Sequence, residues 1–388
     1  LYAEMQACPP VRRMLAEAAV PSGHAARALC TKLYGYAAFR NGGFTMRSLL
    51  NTLFVTSEDL YLALEGENVV VLRGEAAAAR FPLHTLESIL CFSYKGASPA
   101  LMGACAQRGV CLSFYSPRGK FYCQTSGAQQ GNVLLRREQF RRADSPPACR
   151  ALACSFLTGK LYNARWVLQR TVRDQAMRVD APRLKHAAQA LAGAVKALPQ
   201  QPDAGALRGA EGAAAALYFD VFYELILQNK QHFFFTARSR RPPLDNMNAL
   251  LSFAYTLLAS DCAAALRGAG LDPYVGYLHT DRQGRASLAL DLMEELRPLL
   301  GDRFCLTLVN RRIIRPEHFE PQESGAVFLN DAGRKAVLAA WQEKKWDTLT
   351  HPFLGEKVPW GLVPYLQALL LARHLRGDLD AYPPFLWK

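Results

Sequence analysis

One segment of the sequence combines an imidazole with nearby carboxylates. His279 ends the short apolar run 274–278, and Asp291 and Glu294 follow it three residues apart. Residues at this spacing lie on one side of a helix, one turn apart, and Ser287 is the expected cap of that helix. Each feature also has a commoner explanation, because a lone His there is more often a hydrogen-bonded structural residue and an acidic helix face is more often solvated.

Glu211 is a further carboxylate that a ligand could reach, since small residues surround it. Its ordinary role would be to complement the dipole of a helix that begins nearby. Taken jointly, Glu211, His279, Asp291 and Glu294 supply hard oxygen donors and one imidazole. Such a set suits Mg²⁺ or Mn²⁺ better than a thiolate-bound metal. Their separation along the chain leaves open whether they converge.

Arginines accompany this region of the chain. Guanidinium groups neutralise phosphates, so these residues predict contacts to a nucleic-acid backbone close to the metal, although isolated charge runs are more often solvated faces. The residues predicted to contact phosphates are Arg238, Arg240, Arg241, Arg297, Arg311, Arg312 and Arg315. A site that combines phosphate binding with metal ligation cuts or joins nucleic acid.

The composition favours a polyanionic partner. The 388 residues include 46 Lys and Arg against 33 Asp and Glu, a net charge of +13 that recurs throughout the chain. Charge alone leaves open a basic enzyme with a small acidic substrate. We find no apolar run long enough to span a bilayer, no charged-then-apolar leader and no Cys-x-x-Cys pair among ten cysteines. These observations predict no membrane association and a cytoplasmic location.

Two folded units are expected after a leader. Residues 1–45 are rich in Ala, Arg and Pro without a sustained period, and a natural start at Met46 is our preferred interpretation. The sequence pattern of residues 46–128 predicts a small, mainly β domain. After a polar, Gly-bearing break, Ala- and Leu-rich segments predict a mainly α domain over 133–388, so the predicted class is α+β. The expected elements of the first domain are strands at 49–56, 61–64, 69–72, 88–92, 110–115 and 120–124 and one helix at 99–108.

These segments together resemble the CRISPR-associated adaptation endonuclease/integrase, the spacer-integrating subunit of CRISPR systems. The resemblance covers residues 46–388. Singly the shared motifs are soft, but in this order they are specific, and the last one resembles the subgroup that accompanies type I-C systems. The motifs are Leu49-Leu-Asn-Thr-Leu53, Gly159-Lys-Leu-Tyr-Asn-Ala-Arg165, Arg208-Gly-Ala-Glu-Gly212, Arg240-Arg-Pro-Pro-Leu-Asp-Asn-Met-Asn248, the His279 segment, 291–297, and Tyr382-Pro-Pro-Phe-Leu-Trp-Lys388.

The resemblance implies a β-sandwich-like N-terminal domain that mediates homodimerisation, followed by an all-α catalytic domain. It implies that Glu211, His279 and Glu294 bind the divalent metal, with Asp291 assisting them or adding a ligand; many relatives have Asp at the position of Glu294. Two homodimers would flank a dimer of a small ferredoxin-like subunit in a heterohexamer. This assembly would insert a short double-stranded DNA into a repeat array by attack of a 3′-hydroxyl on a phosphodiester. Residues 1–45 have no counterpart in the family.

Two other functional classes stay open on the sequence. A non-catalytic DNA-binding scaffold requires only the basic charge and leaves the carboxylates and His279 unexplained, and a metal titration would separate it from an enzyme. A metal-dependent hydrolase of a small phosphorylated substrate is expected to carry a Gly-rich phosphate loop or a dense acidic motif. The sequence contains neither of these.

Overall fold

The computed structural model describes residues 52–55, 57, 59–86, 88–115, 121–125 and 133–387. The predicted leader, residues 1–45, and the proposed start at Met46 lie outside the described residues.

Two β-sheets form the N-terminal unit. One is a three-stranded antiparallel sheet, and the other has the order β1-β5-β6-β7, in which β1, β5 and β6 are parallel and β7 is antiparallel. One helix, α1, connects β5 to β6. The elements are β1 (Thr52–Val55), β2 (Leu60–Glu65), β3 (Asn68–Arg73), β4 (Ala76–Pro82), β5 (Ser88–Cys91), α1 (Pro99–Arg108), β6 (Cys111–Tyr115) and β7 (Phe121–Gln124).

Local sequence signals account for most of these elements. Gly66 turns between β2 and β3 with φ +60°, a backbone conformation that glycine adopts without strain. Helix α1 begins where the Ser98 side chain accepts a hydrogen bond from Leu101 N, and it ends at Gly109 in the left-handed conformation. The predicted hairpin and the predicted helix are therefore confirmed.

Strand β4 is absent from the sequence prediction. Its first four residues are alanines, which have a low intrinsic preference for strands. They nevertheless pair with β3 at the edge of the sheet, where most of β4 is exposed. Hydrogen bonding to a neighbouring strand here outweighs local preference.

A shared core joins the two sheets. Leu62 and Val69 from the three-stranded sheet pack with Ile89 and Leu112 from the other sheet, and Leu101 of α1 completes this cluster; all five side chains are fully buried. Two sheets facing one core form the β-sandwich-like arrangement that we expected. The predicted α+β class is confirmed.

The second unit is mainly helical, and its longest helix, α3, runs through the centre of the core. A π-helical turn at Arg297–Asp302 joins α7 to α8. The helices are α2 (Val133–Ala143), α3 (Pro146–Gln175), α4 (Ala181–Ala197), α5 (Ala204–Asp220), α6 (Asn246–Gly268), α7 (Ser287–Leu296), α8 (Arg303–Asn310), α9 (Asp331–Trp346) and α10 (Val363–Arg376).

The expectation of an all-α second domain is wrong in one respect. Two antiparallel ladders of three-residue strands interrupt the helices. The strands of the first ladder meet because a turn closed by Gly325 N donating to Gln322 O brings the chain back on itself. The strands are β8 (Phe319–Pro321), β9 (Val327–Leu329), β10 (Thr348–Thr350) and β11 (Lys357–Pro359).

We expected no apolar run of membrane-spanning length, but helix α6 is such a run by its length and composition. Among the described helices it alone is long and apolar enough to cross a membrane. It packs against α7 and α10, and 61% of its most apolar stretch is buried within the protein. Phe253 of this helix also meets Phe92 of the N-terminal unit, with ring centres 6.3 Å apart. We therefore interpret α6 as a core helix.

Candidate metal and nucleic-acid site

Helices α3, α5 and α7 and the loop before α7 converge on one site. The close approach of α3 to α7 depends on Gly159, because a Cβ atom there would lie 2.6 Å from Cβ of Glu295. This contact sets Lys160 of α3 beside Glu294 of α7. Glu211 of α5 approaches the same point and completes the meeting of the three helices.

Asp291 holds His279 in a defined orientation. Its carboxylate is fully buried, and Oδ1 lies 2.7 Å from Nδ1 of His279. Three backbone N–H groups donate to the same carboxylate: those of Tyr277 at 2.6 Å, Leu278 at 3.0 Å and His279 at 2.9 Å. Because an ionised carboxylate only accepts hydrogen bonds, Nδ1 of His279 is the donor, and Nε2 is the ring nitrogen that stays available to a ligand. Asp291 therefore positions the imidazole and has little remaining capacity to bind a metal directly.

The short apolar run before His279 forms an irregular loop. Residues 274–280 form turns and bends, and Gly276 makes them compact because a Cβ there would lie 2.7 Å from Cβ of Ser287. Ser287 is the first residue of α7, and the capping residue before it, Ala286, offers no side-chain hydrogen bond. The predicted Ser287 cap is therefore wrong. The backbone N–H groups of the loop donate instead to Asp291, which lies inside the helix.

Glu294 is a buried carboxylate among cations. Its Oε1 lies 2.8 Å from Nη2 of Arg297 and 4.0 Å from Nε2 of His279, and its Oε2 lies 2.7 Å from Nζ of Lys160. Burial by itself raises the pKa of Glu294, but Arg297, Lys160 and His279 together outweigh it and lower that pKa to about 2. Glu294 is consequently ionised at neutral pH without a metal.

Glu211 reaches the site from inside α5 rather than from the start of a helix. The cap of α5 is Asp203, whose side chain accepts from Ala206 N at 2.8 Å, so Glu211 lies well within the helix. Its Oε1 accepts a hydrogen bond from Nζ of Lys160. On the same helix, Arg208 donates to the carbonyl oxygen of Leu278 at 2.9 Å and ties α5 to the loop that carries His279.

The fit of these residues to a divalent cation rests on their donor atoms. Within the described ranges, no three His, Cys, Asp or Glu side chains lie together as a ready metal cluster. Glu211 and Glu294 nevertheless already share one cation, the ammonium group of Lys160. Oε2 of Glu294 is buried and makes an ion pair with that group without receiving an aligned hydrogen bond. A buried carboxylate oxygen with an unfilled acceptor position is a suitable ligand for a hard cation.

Two of the predicted DNA-contacting arginines are engaged inside the protein. Arg238 donates to Oδ1 of Asn248 at 2.7 Å and to Oγ of Ser252 at 3.0 Å. Its guanidinium carbon lies 5.2 Å from the ring centre of Tyr255, and that of Arg297 lies 5.0 Å from the same ring. Since Arg297 also pairs with Glu294, both arginines stabilise the site from within.

The other predicted arginines are exposed, so phosphate groups can reach them. Arg312 donates a hydrogen bond to Oε1 of Gln228 at 2.8 Å at the surface. Arg315 lies 3.7 Å from Glu317, also at the surface, where an ion pair contributes little to stability. The exposed members of the predicted set are Arg240, Arg241, Arg311, Arg312 and Arg315.

The C-terminal segment 379–387 supports α7 through Glu295 and through Asn163 of α3. Glu295 accepts hydrogen bonds from Phe385 N at 2.8 Å and from the hydroxyl of Tyr382. Asn163 of α3 donates to the carbonyl oxygens of Glu295 at 2.7 Å and Phe385 at 2.8 Å, and it accepts from Trp387 N at 2.9 Å. This network fixes the helix that carries Asp291 and Glu294.

Sequence reasoning did not assign Lys160 or Asn163 to the site. Both residues lie in a motif that we used only as a family landmark. A usable signal was present, because Lys160 and Asn163 interrupt an apolar helix between Phe156 and Val167, and polar side chains at core positions are seldom left without partners.

Comparison with known proteins identifies the family. The model of the family described as CRISPR associated protein Cas1 matches residues 53–343. The chain belongs to the Cas1 family. The CRISPR-associated endonuclease Cas1 1 of Chlorobaculum tepidum is 47% identical over 343 residues, which cover 88% of this chain and all of that relative. The CRISPR-associated endonuclease Cas1 2 of Rhodospirillum rubrum is 50% identical over 347 residues, with the same coverage of both chains.

Solved structures agree with the Cas1 fold. A casposase bound to integration product superposes with a TM-score of 0.75 at 19% identity and covers 87% of this chain and 94% of that one. A CAS1 protein from Thermotoga maritima superposes with a TM-score of 0.73 at 22% identity and covers 84% and 97%. At these identities the likeness establishes the fold alone. The type I-C subgroup stays a prediction.

Proposed function

We propose that this Cas1 family member is a divalent-metal-dependent DNA endonuclease/integrase of CRISPR adaptation. It would insert short duplexes into a repeat array by transesterification, with a 3′-hydroxyl as nucleophile. Its relatives from Chlorobaculum tepidum and Rhodospirillum rubrum are named endonucleases. The observation that carries the proposal is the pairing of an oriented imidazole, His279, with the buried, ionised carboxylate of Glu294.

Glu211, His279 and Glu294 are the residues that we assign to the metal, Mg²⁺ or Mn²⁺. When bound, the cation polarises a phosphoryl oxygen and stabilises the attacking and leaving oxygens. Asp291 accepts the hydrogen bond of Nδ1 of His279, so that Nε2 is turned toward Glu294. Arg297 keeps Glu294 ionised and limits its motion. These contacts are made by the protein's own residues, which reduces the cost of organising the site.

DNA would approach through the exposed arginines, which contact phosphates rather than base edges. Arg240 and Arg241 precede α6, and Arg311, Arg312 and Arg315 follow α8. We withdraw Arg238 and Arg297 from the phosphate-contacting set because their guanidinium groups already have partners inside the protein. Their positive charge still lowers the electrostatic cost of bringing phosphate near the carboxylates.

The proposed assembly follows the family. The N-terminal domain would form a homodimer, and two dimers would flank a dimer of a small ferredoxin-like subunit in the cytoplasm. A chain of a Cas6-RT-Cas1–Cas2 complex shares the fold, with a TM-score of 0.75 at 20% identity over 91% of this chain and 37% of that one. This likeness supports a Cas partner without specifying the stoichiometry.

A strand-transfer assay with two forms of the incoming duplex tests the proposal. The chain, its small Cas partner and Mn²⁺ are incubated with repeat DNA and a labelled duplex that ends in either a 3′-hydroxyl or a 3′-deoxy group. Joined product is expected only with the 3′-hydroxyl, because that oxygen forms the new phosphodiester bond. Binding of both duplexes without joined product would instead favour a non-catalytic scaffold.

A further inference from the structure

A lysine occupies the centre of the candidate metal site. Nζ of Lys160 contacts Oε1 of Glu211 and lies 2.7 Å from Oε2 of Glu294. The Lys160 side chain is only 9% exposed, and it bridges carboxylates that belong to two different helices. Lysine is almost never buried without a partner, so these carboxylates account for its position.

The two carboxylates that Lys160 contacts have cationic partners without a metal ion. Glu211 and Glu294 each carry one negative charge, and Lys160 and Arg297 each carry one positive charge. A divalent cation bound by the same carboxylates would add two positive charges beside the Lys160 ammonium. Two cations held by the same carboxylate oxygens repel each other strongly at the effective dielectric of a partly buried site. Metal and ammonium therefore compete for the same carboxylate oxygens.

The backbone of Lys160 is held in place, so a movement of its ammonium group would involve the side chain alone. Its helix is fixed against α7 by the close contact at Gly159 and by the hydrogen bonds of Asn163. The flexible stem of lysine allows the ammonium to swing while the backbone stays in place. The open side of the site lies at Glu211 and His279, whose side chains are 26% and 27% exposed.

We propose that Lys160 is an internal counter-cation that holds Glu211 and Glu294 together until a divalent metal displaces its ammonium group toward the incoming DNA phosphate. This inference rests on the proposed function. It adds a residue that regulates metal binding and that contacts the substrate only after release. In the absence of metal, the same ion pairs prevent repulsion between two carboxylates in a partly buried site.

The first test measures Mn²⁺ affinity by titration calorimetry in the full chain and in Lys160→Met. The variant keeps the length of the apolar stem and removes the competing charge, so we expect Mn²⁺ to bind at least about tenfold more tightly. Lys345→Met is the matched control. Lys345 is also buried, with a 10% exposed side chain 2.8 Å from Asp261, but it contacts none of the proposed ligands. This control should bind Mn²⁺ with the parental affinity.

The second test uses the unmodified chain and so does not depend on the folding of a variant. Lysines are acetylated with an amine-reactive ester with and without saturating Mn²⁺, and modification is quantified by mass spectrometry. Lys160 should become severalfold more reactive when Mn²⁺ is present, while Lys345 should not change. Addition of duplex DNA should then protect Lys160 again.

The outcomes separate this inference from the proposed function. If the parental chain binds no Mn²⁺, the proposed function itself fails. If it binds Mn²⁺ and Lys160→Met binds equally or more weakly, Lys160 supports the metal site instead of competing with the metal, and the inference is overturned. Unchanged reactivity of Lys160 at saturating Mn²⁺ would overturn it independently.

Discussion

Replacing Asp291 by Asn tests whether this residue acts through His279 rather than as a metal ligand. Oδ1 of Asp291 receives hydrogen bonds from the backbone N–H and the ring Nδ1–H of His279. Oδ2 receives hydrogen bonds from the backbone N–H groups of Tyr277 and Leu278. An Asn side chain has the same shape, but whichever way it is turned, its NH₂ group faces two donors.

The expected cost follows from these contacts. Two hydrogen bonds to a charged acceptor are lost, and each contributes about 1.5–3 kcal/mol, so Asp291→Asn should lower the free energy of unfolding by about 3–6 kcal/mol. Loss of the group that orients a metal-binding imidazole typically reduces activity by about 10- to 100-fold. We therefore expect weakened, but not abolished, Mn²⁺-dependent strand transfer in the fraction of the protein that remains folded.

Urea unfolding and strand transfer are measured side by side for Asp291→Asn and for a control, Asp281→Asn. Asp281 is exposed and accepts one hydrogen bond, at 3.3 Å from Gly276 N of the same loop. The control should lose less than about 1 kcal/mol and keep parental activity. If Asp291→Asn were as stable as the control, the hydrogen-bond argument would be refuted. Complete loss of Mn²⁺ binding in folded Asp291→Asn would instead make Asp291 a direct ligand.

Three further predictions concern the surface, a buried histidine and the support of α7. The Arg240→Ala/Arg241→Ala variant should reduce the log–log salt slope of duplex binding by about 0.9 for each lost phosphate contact, as measured by fluorescence anisotropy, and an unchanged slope would place the DNA elsewhere. Burial lowers the pKa of His351 from 6.5 to about 4, so the unfolded chain takes up this proton first as pH falls and about 3 kcal/mol of stability is lost between pH 6.5 and 4. Urea unfolding across that window should show a shallower pH dependence for His351→Gln, and identical profiles would contradict the assignment. Asn163→Ala leaves three backbone groups of α7 and the segment 379–387 without their partner and should cost about 3 kcal/mol or more in urea unfolding, whereas a cost below about 1 kcal/mol would show that the segment does not support the helix.

The sequence predicted the elements whose signals are local. The apolar segments 61–64 and 69–72, which flank the polar residues 65–68, predicted the first hairpin, and Ser98 and Gly109 mark the ends of α1. Strand β4 has no such signal because its alanines become a strand only by pairing with β3. The small ladder at β8 and β9 depends in the same way on a chain reversal between two helices.

The candidate site was predictable in its residue types but not in its contacts. Asp291 and Glu294 were expected on one face of a helix, and they do lie on α7. Asp291 accepts hydrogen bonds from the loop backbone, whereas Glu294 pairs with Lys160 and Arg297. These partners depend on how α3 and α7 pack. Charge alone likewise could not show which arginines are free to contact phosphate. Arg297 is mostly buried beside Glu294, whereas Arg240 is exposed.

The most direct test of the account is the rate of Mn²⁺-dependent strand transfer by His279→Ala, measured at equal DNA occupancy beside the parental chain. His279→Ala removes one hydrogen bond to Asp291, at a cost of about 1.5–3 kcal/mol, but keeps the three backbone bonds, so the variant should still fold and bind DNA with nearly the parental affinity. Since even orienting groups behind a ligand contribute about 10- to 100-fold, loss of the ligand itself should lower the rate by at least about 100-fold. A parental rate in His279→Ala would contradict the assignment of this site to the chemistry.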